Sequence, residues 1–176
     1  MTSDATFNPL SQGVRRVTTG VDSHGNAVVV RDEQVEGHPR GLVVWGADAP
    51  PSAGDSEAPA TQGWWPPPGG VRVSLSTRAP DAAPDPGVAR PFDWPDINDA
   101  AGFHASQSAD VIVMISGRIW LELDDGVEVL LNAGDVLIQN GTRHRWRNRG
   151  DAWPLMAVVI VGAQPGAARQ ADSAGL

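Results

Sequence analysis

Apolar and polar positions alternate along much of this chain with a period of two, the signature of strands buried on one face. Val14–Thr19, Ala27–Arg31, Gly41–Trp45 and Val71–Ser76 read as strands in the N-terminal half. Val127-Glu128-Val129 alternates further on, Val136-Leu137-Ile138 reads as the next strand, and Leu155–Val161 is uniformly apolar, which predicts a buried closing strand. The breaks are turn chemistry: Asp22-Ser23-His24-Gly25-Asn26, Asp124-Asp125-Gly126, Ala133-Gly134-Asp135 and Asn140-Gly141. Few runs have helical spacing. An all-β fold is expected.

The alternation also assigns faces. In a strand, neighbouring side chains point to opposite sides. Along Arg143-His144-Arg145-Trp146-Arg147-Asn148 the arginines share one face, and His144, Trp146 and Asn148 share the other. The arginines belong in water, so the His–Trp–Asn face is expected to look inward. By the same parity Asp110 shares a face with Ile112 and Met114, and Gln139 shares one with Leu137. Trp120 falls in step with Glu122 and is expected outside. His24 and His38 sit in loop-like stretches and are expected to be exposed.

The stretch from His104 to Asn148 resembles the cupin family. Its second motif is matched by Gly134, Gly141, His144 and Asn148, with Gln139 where a proline would stand. Its first motif is matched by His104 and Gly117, while Ser106 replaces the second histidine and Asp110 the glutamate. The resemblance covers roughly the C-terminal third of the chain. It implies a cupin-type jelly-roll barrel with an N-terminal strand extension. It also implies that His104, Asp110 and His144 converge inside the barrel, where one Fe or Zn ion could bind. In the alternative without metal, His144 is a buried imidazole hydrogen-bonded to Asp110 or Gln139.

Catalytic roles then fall to His144 and Asp110, with Ile112, Met114, Gln139, Trp146 and Asn148 as the lining of a substrate pocket. Trp146 is an aromatic wall for a ligand or plain core packing. Two function classes stay open. One is an enzyme acting on a small, rather apolar metabolite, of dioxygenase, isomerase, decarboxylase or cyclase type. The other is a non-catalytic binder of such a molecule.

Composition narrows the chemistry. The chain has no Cys, and all 13 of its basic residues are Arg, so thiolate catalysis and lysine Schiff bases are excluded. Tyr is also absent, leaving proton transfer to His, Asp, Glu or water. A net charge of −8 argues against nucleic-acid partners. No stretch reads as a membrane span or secretory signal, so a cytoplasmic location is the default expectation.

The expected organisation is a flexible N-terminus (1–13), strands and long loops packed on the barrel (14–101), a barrel core (102–163) and a flexible tail (164–176). Two long Pro- and Ala-rich connections, over 48–63 and 78–101, are expected to cover the barrel mouth or wrap a partner. Trp64, Trp65 and Trp94, within or beside them, would be lid or interface residues. Open sheet edges and the resemblance together imply a homodimer.

Overall fold

The computed structural model describes residues 7–51, 63–83 and 99–164. Among them the strands are β1 (Val14–Val21), β2 (Ala27–Val35), β3 (Gly41–Ala47), β4 (Val71–Thr77) and β5 (Ser108–Ser116). They continue as β6 (Arg118–Glu122), β7 (Glu128–Asn132), β8 (Val136–Gln139), β9 (Arg145–Arg147) and β10 (Leu155–Gly162). The all-β expectation holds.

All pairings are antiparallel and fall into three sheets. The largest has the order β3-β4-β10-β5-β8, the second β7-β6-β9, and β1 pairs only with β2. The register of the largest sheet explains why β10 is so apolar. The strand lies between β4 and β5, so Met156, Val158 and Ile160 are buried at the centre of the sheet. Asp110, Ile112 and Met114 of β5 are buried beside them, as parity requires, and Leu137 and Gln139 of β8 follow in register. Ile119 of β6 and Leu131 of β7 close the core from the second sheet. A barrel results, with one layer of side chains from each sheet.

Three features depart from the expected plan. β3 and β4 are integral members of the larger sheet, so the barrel extends into the N-terminal half. The strand through His144 is shorter than its alternation implies. Only Arg145–Arg147 forms β9, and His144 is held by a lone bridge to His104. The outward arginines are also not simply solvated. Arg143 pairs with Asp99 and Asp124, Arg145 with Glu122, Arg147 with Asp81, and Arg149 with Glu128.

Gly141 shows how tightly the site's approach is built. Its φ is +61°, and a Cβ there would lie 2.4 Å from the Ser106 carbonyl oxygen. Only glycine lets the turn after β8 press against the segment carrying Ser106.

Candidate functional site

A cavity of about 470 Å³ opens between the two sheets. Its inner walls come from strands: Asp110 and Ile112 of β5, Ile119 of β6, Trp146 of β9, and Met156, Val158 and Ile160 of β10. Its mouth is made by loops that bring Arg40, Arg78, Asp81, Gly102 and Trp153 together, with Trp64 and Trp65 alongside. Such a volume suits a small organic molecule.

His144 is 3% exposed and lines this cavity. The backbones of His104 and His144 exchange hydrogen bonds of 2.9 and 2.8 Å, which brings the two rings together with centroids 4.3 Å apart. Trp146 meets the His144 ring edge-on at 5.7 Å. On its other side, His144 Nδ1 lies 2.8 Å from the Thr142 carbonyl, which can only accept. Gln139 Nε2 is also 2.9 Å from Nδ1, but its two hydrogens go to the Thr142 carbonyl and hydroxyl at 2.8 and 2.7 Å. The proton therefore sits on Nδ1, and Nε2 keeps its lone pair. Burial lowers the His144 pKa, which favours this neutral form, although the Thr142 contact pulls the other way.

Asp110 is 6% exposed, and its Oδ1 has no hydrogen-bond partner among the described residues. Burial pushes its carboxyl up to about 6, against a Ser108 hydrogen bond that pulls it down. The Ser108 hydroxyl also lies 2.8 Å from that of Ser106, the residue standing where the first motif has its second histidine. Ser106 is thus built into a hydroxyl pair beside the carboxyl.

Of the expected pocket residues, Ile112 and Trp146 line the cavity, whereas Met114, Gln139 and Asn148 do not. Met114 belongs to the core cluster behind it. Gln139 Nε2 donates to the Thr142 carbonyl and hydroxyl beside the His144 ring. Asn148 is structural. Its Nδ2 donates to the carbonyls of Arg78 and Ala152, and its Oδ1 accepts from the Gly150 backbone. It pins the mouth loop to the end of β9.

His104, Asp110 and His144 line one cavity. Among the described residues, however, no three His, Asp or Glu side chains are grouped as one metal ion would need. His24 lies in an exposed turn, and His38 Nδ1 accepts from the Arg40 backbone N–H at 3.2 Å. Trp64 is buried in the core cluster and also lines the cavity, Trp65 lines it too, and Trp94 lies outside the described residues. The residues missed by sequence reasoning are Arg40, Arg78 and Trp153. They stand in loops, where no period marks a face.

Residues 98–161 match the family model described as "Cupin domain". This stretch of the chain is thus similar to a cupin domain. A 63-residue stretch of this chain is 44% identical to phomopsin biosynthesis cluster proteins C' and D of Diaporthe leptostromiformis, covering 35% of this chain. It spans only 33% of those relatives. Similarity is more extended to the cupin-domain-containing oxidoreductase srdB of Neurospora crassa, 29% identical over 85% of this chain and 74% of that one. Among solved structures, a cupin 2 conserved barrel domain protein from Salinispora arenicola is 25% identical, with a TM-score of 0.36 over 59% of this chain and 70% of its own. Among the described residues no helix is long and apolar enough to cross a membrane.

Proposed function

We propose that this protein is an enzyme of small-molecule metabolism. It takes a small, largely apolar metabolite into the barrel and moves a proton on it with His144 and Asp110, without a resident metal. The observation that carries this reading is one cavity in which an apolar wall meets two chemically matched groups. Ile112, Ile119, Met156, Val158 and Ile160 line it beside a neutral imidazole and a buried carboxyl whose Oδ1 has no hydrogen-bond partner among the described residues. A buried polar atom without a partner calls for one, and a ligand in the cavity would supply it. His144 Nε2 is the base, and Asp110 is the acid while it keeps its proton. Support also comes from the similar proteins, two named for a biosynthesis cluster and one named an oxidoreductase.

Turnover tests this reading. The purified protein is incubated with a fractionated metabolite extract, and substrate depletion is followed by mass spectrometry. Wild type should consume at least one small apolar component. Both His144→Ala and Asp110→Asn should slow that consumption by about a hundredfold or more, in line with general acid–base contributions. Retention of a component without consumption by wild type would instead make the barrel a binding module. Turnover that survives both substitutions would remove the pair from the chemistry.

The same proposal includes a homodimer. The outer face of the larger sheet exposes Val111, Val113 and Ile115 of β5, Val136 and Ile138 of β8, and Val161 of β10. The β1–β2 hairpin pairs with neither barrel sheet and exposes Val17, Val21 and Val29. A lone two-stranded hairpin is marginal in water, and a continuous apolar sheet face is uncommon on a monomer. A second copy would cover both.

A further inference from the structure

The chain is acidic overall, with a net charge of −8, yet the mouth of its cavity is basic. Arg40 and Arg78 line it, and Arg40, Arg145 and Arg147 all repel the Arg78 charge. Arg145 is neutralised by a two-pronged pair with Glu122, both contacts being 2.7 Å. Asp81 is the acid at the mouth, but it is already used. It accepts from Arg147 Nε at 2.6 Å and from the Asn148 backbone at 3.2 Å. Arg78 Nε reaches Asp81 only at 3.9 Å, too long for a hydrogen bond. Its side chain remains 49% exposed.

Arg78 is nonetheless firmly placed. Its carbonyl accepts from Asn148 Nδ2 at 2.9 Å, which fixes its backbone beside the end of β9. His144 stands four residues back along the same line. At roughly 3.3 Å per extended residue the two positions are at most about 13 Å apart along the chain. The cavity thus has a basic end, an apolar middle walled by Trp146, and a His–Asp end. Trp65 adds a second donor to its wall. Its Nε1 is buried and has no hydrogen-bond partner among the described residues.

From this arrangement we infer that the ligand is a carboxylic acid, its carboxylate held at the mouth by Arg78 and its apolar body inside the barrel. The inference rests on the cavity being the ligand site, as proposed above. A planar guanidinium matches a carboxylate in two parallel hydrogen bonds, and it is the preferred partner for that group. The charge of Arg78 would also draw an anion to the mouth despite the net negative charge of the molecule.

The experiment compares 3-phenylpropanoate with its neutral amide, of nearly equal shape. Both are titrated by calorimetry into wild type and into Arg78→Gln, with circular dichroism confirming that the variant is folded. Wild type should bind the acid at least tenfold more tightly than the amide, and added salt should erode the difference. In Arg78→Gln the advantage of the acid should shrink to less than threefold. Equal binding of acid and amide by wild type would overturn the carboxylate assignment while leaving the cavity reading in place. So would a preference for the acid that persists in Arg78→Gln. Binding of neither probe, tested also with indole as a smaller neutral ligand, would overturn the cavity reading and the assignment with it.

Discussion

Asp110 and His144 respond to pH in opposite directions. Burial lifts the Asp110 carboxyl to about 6, so the folded chain holds that proton more tightly than the unfolded chain does. The stability it contributes is complete below about pH 4 and is lost as pH rises through about 6, a change on the order of 2–3 kcal/mol. His144 is depressed by burial, so its contribution is present above about pH 6.5 and lost as pH falls. Asp110→Asn removes the first slope and keeps the second. Urea midpoints should therefore match wild type near pH 4 and exceed it at pH 7. Equal midpoints at pH 7 would contradict a carboxylate destabilised by burial. His144→Ala should cost roughly 1–3 kcal/mol through lost packing and the broken contact to Thr142. That cost should be the same with or without added Fe(II) or Zn(II). A melting temperature that rises with either metal in wild type, and fails to rise in His144→Ala, would restore the metal reading. At this scale the sequence was informative where a strand period existed. The inward positions of His144, Asp110 and Ile112 followed from alternation alone. Arg78, Trp65 and Trp153 did not, because a loop residue's direction is set by tertiary contacts such as the Asn148 bond to Arg78.

At the scale of elements, β4 carries a feature that alternation could not explain. Arg72 is 0% exposed and points to the buried side of its strand. Its guanidinium donates to the carbonyls of Gly63, Ala47 and Val71 and pairs with Asp48 at 2.5 Å. It therefore ties together the two described ends of the connection between β3 and β4. Arg72→Ala should lower stability by about 3 kcal/mol in urea unfolding, since it leaves buried carbonyls without donors. Removing the exposed Arg15, paired with Asp32, should produce no measurable change. An Arg72→Ala variant as stable as wild type would show that the tie contributes nothing. The strands themselves were legible because each is a local pattern. Their order was not: β10 sits between β4 and β5, a placement that joins residues far apart in the chain, such as Ser74 and Val158. The Arg143–Asn148 run misled in length. His144 leaves the ladder to bridge His104, which sets the two imidazoles together.

For the whole molecule, the exposed apolar sheet and the separate β1–β2 hairpin lead to an association test. Light scattering at micromolar concentration should give twice 18.5 kDa, and Val136→Glu with Ile138→Glu should give the monomer mass. A wild-type monomer would contradict the dimer. Function, however, is placed inside the barrel, and filling that space tests the placement most directly. Ile112 lines the cavity, so Ile112→Trp should occupy part of the space in which a ligand would lie. Val127, exposed in the turn before β7, provides the control Val127→Trp. Indole titrated calorimetrically into all three proteins should bind wild type and Val127→Trp alike and should not bind Ile112→Trp. Indole binding of equal strength in folded Ile112→Trp would place the ligand elsewhere and contradict a ligand site within the barrel.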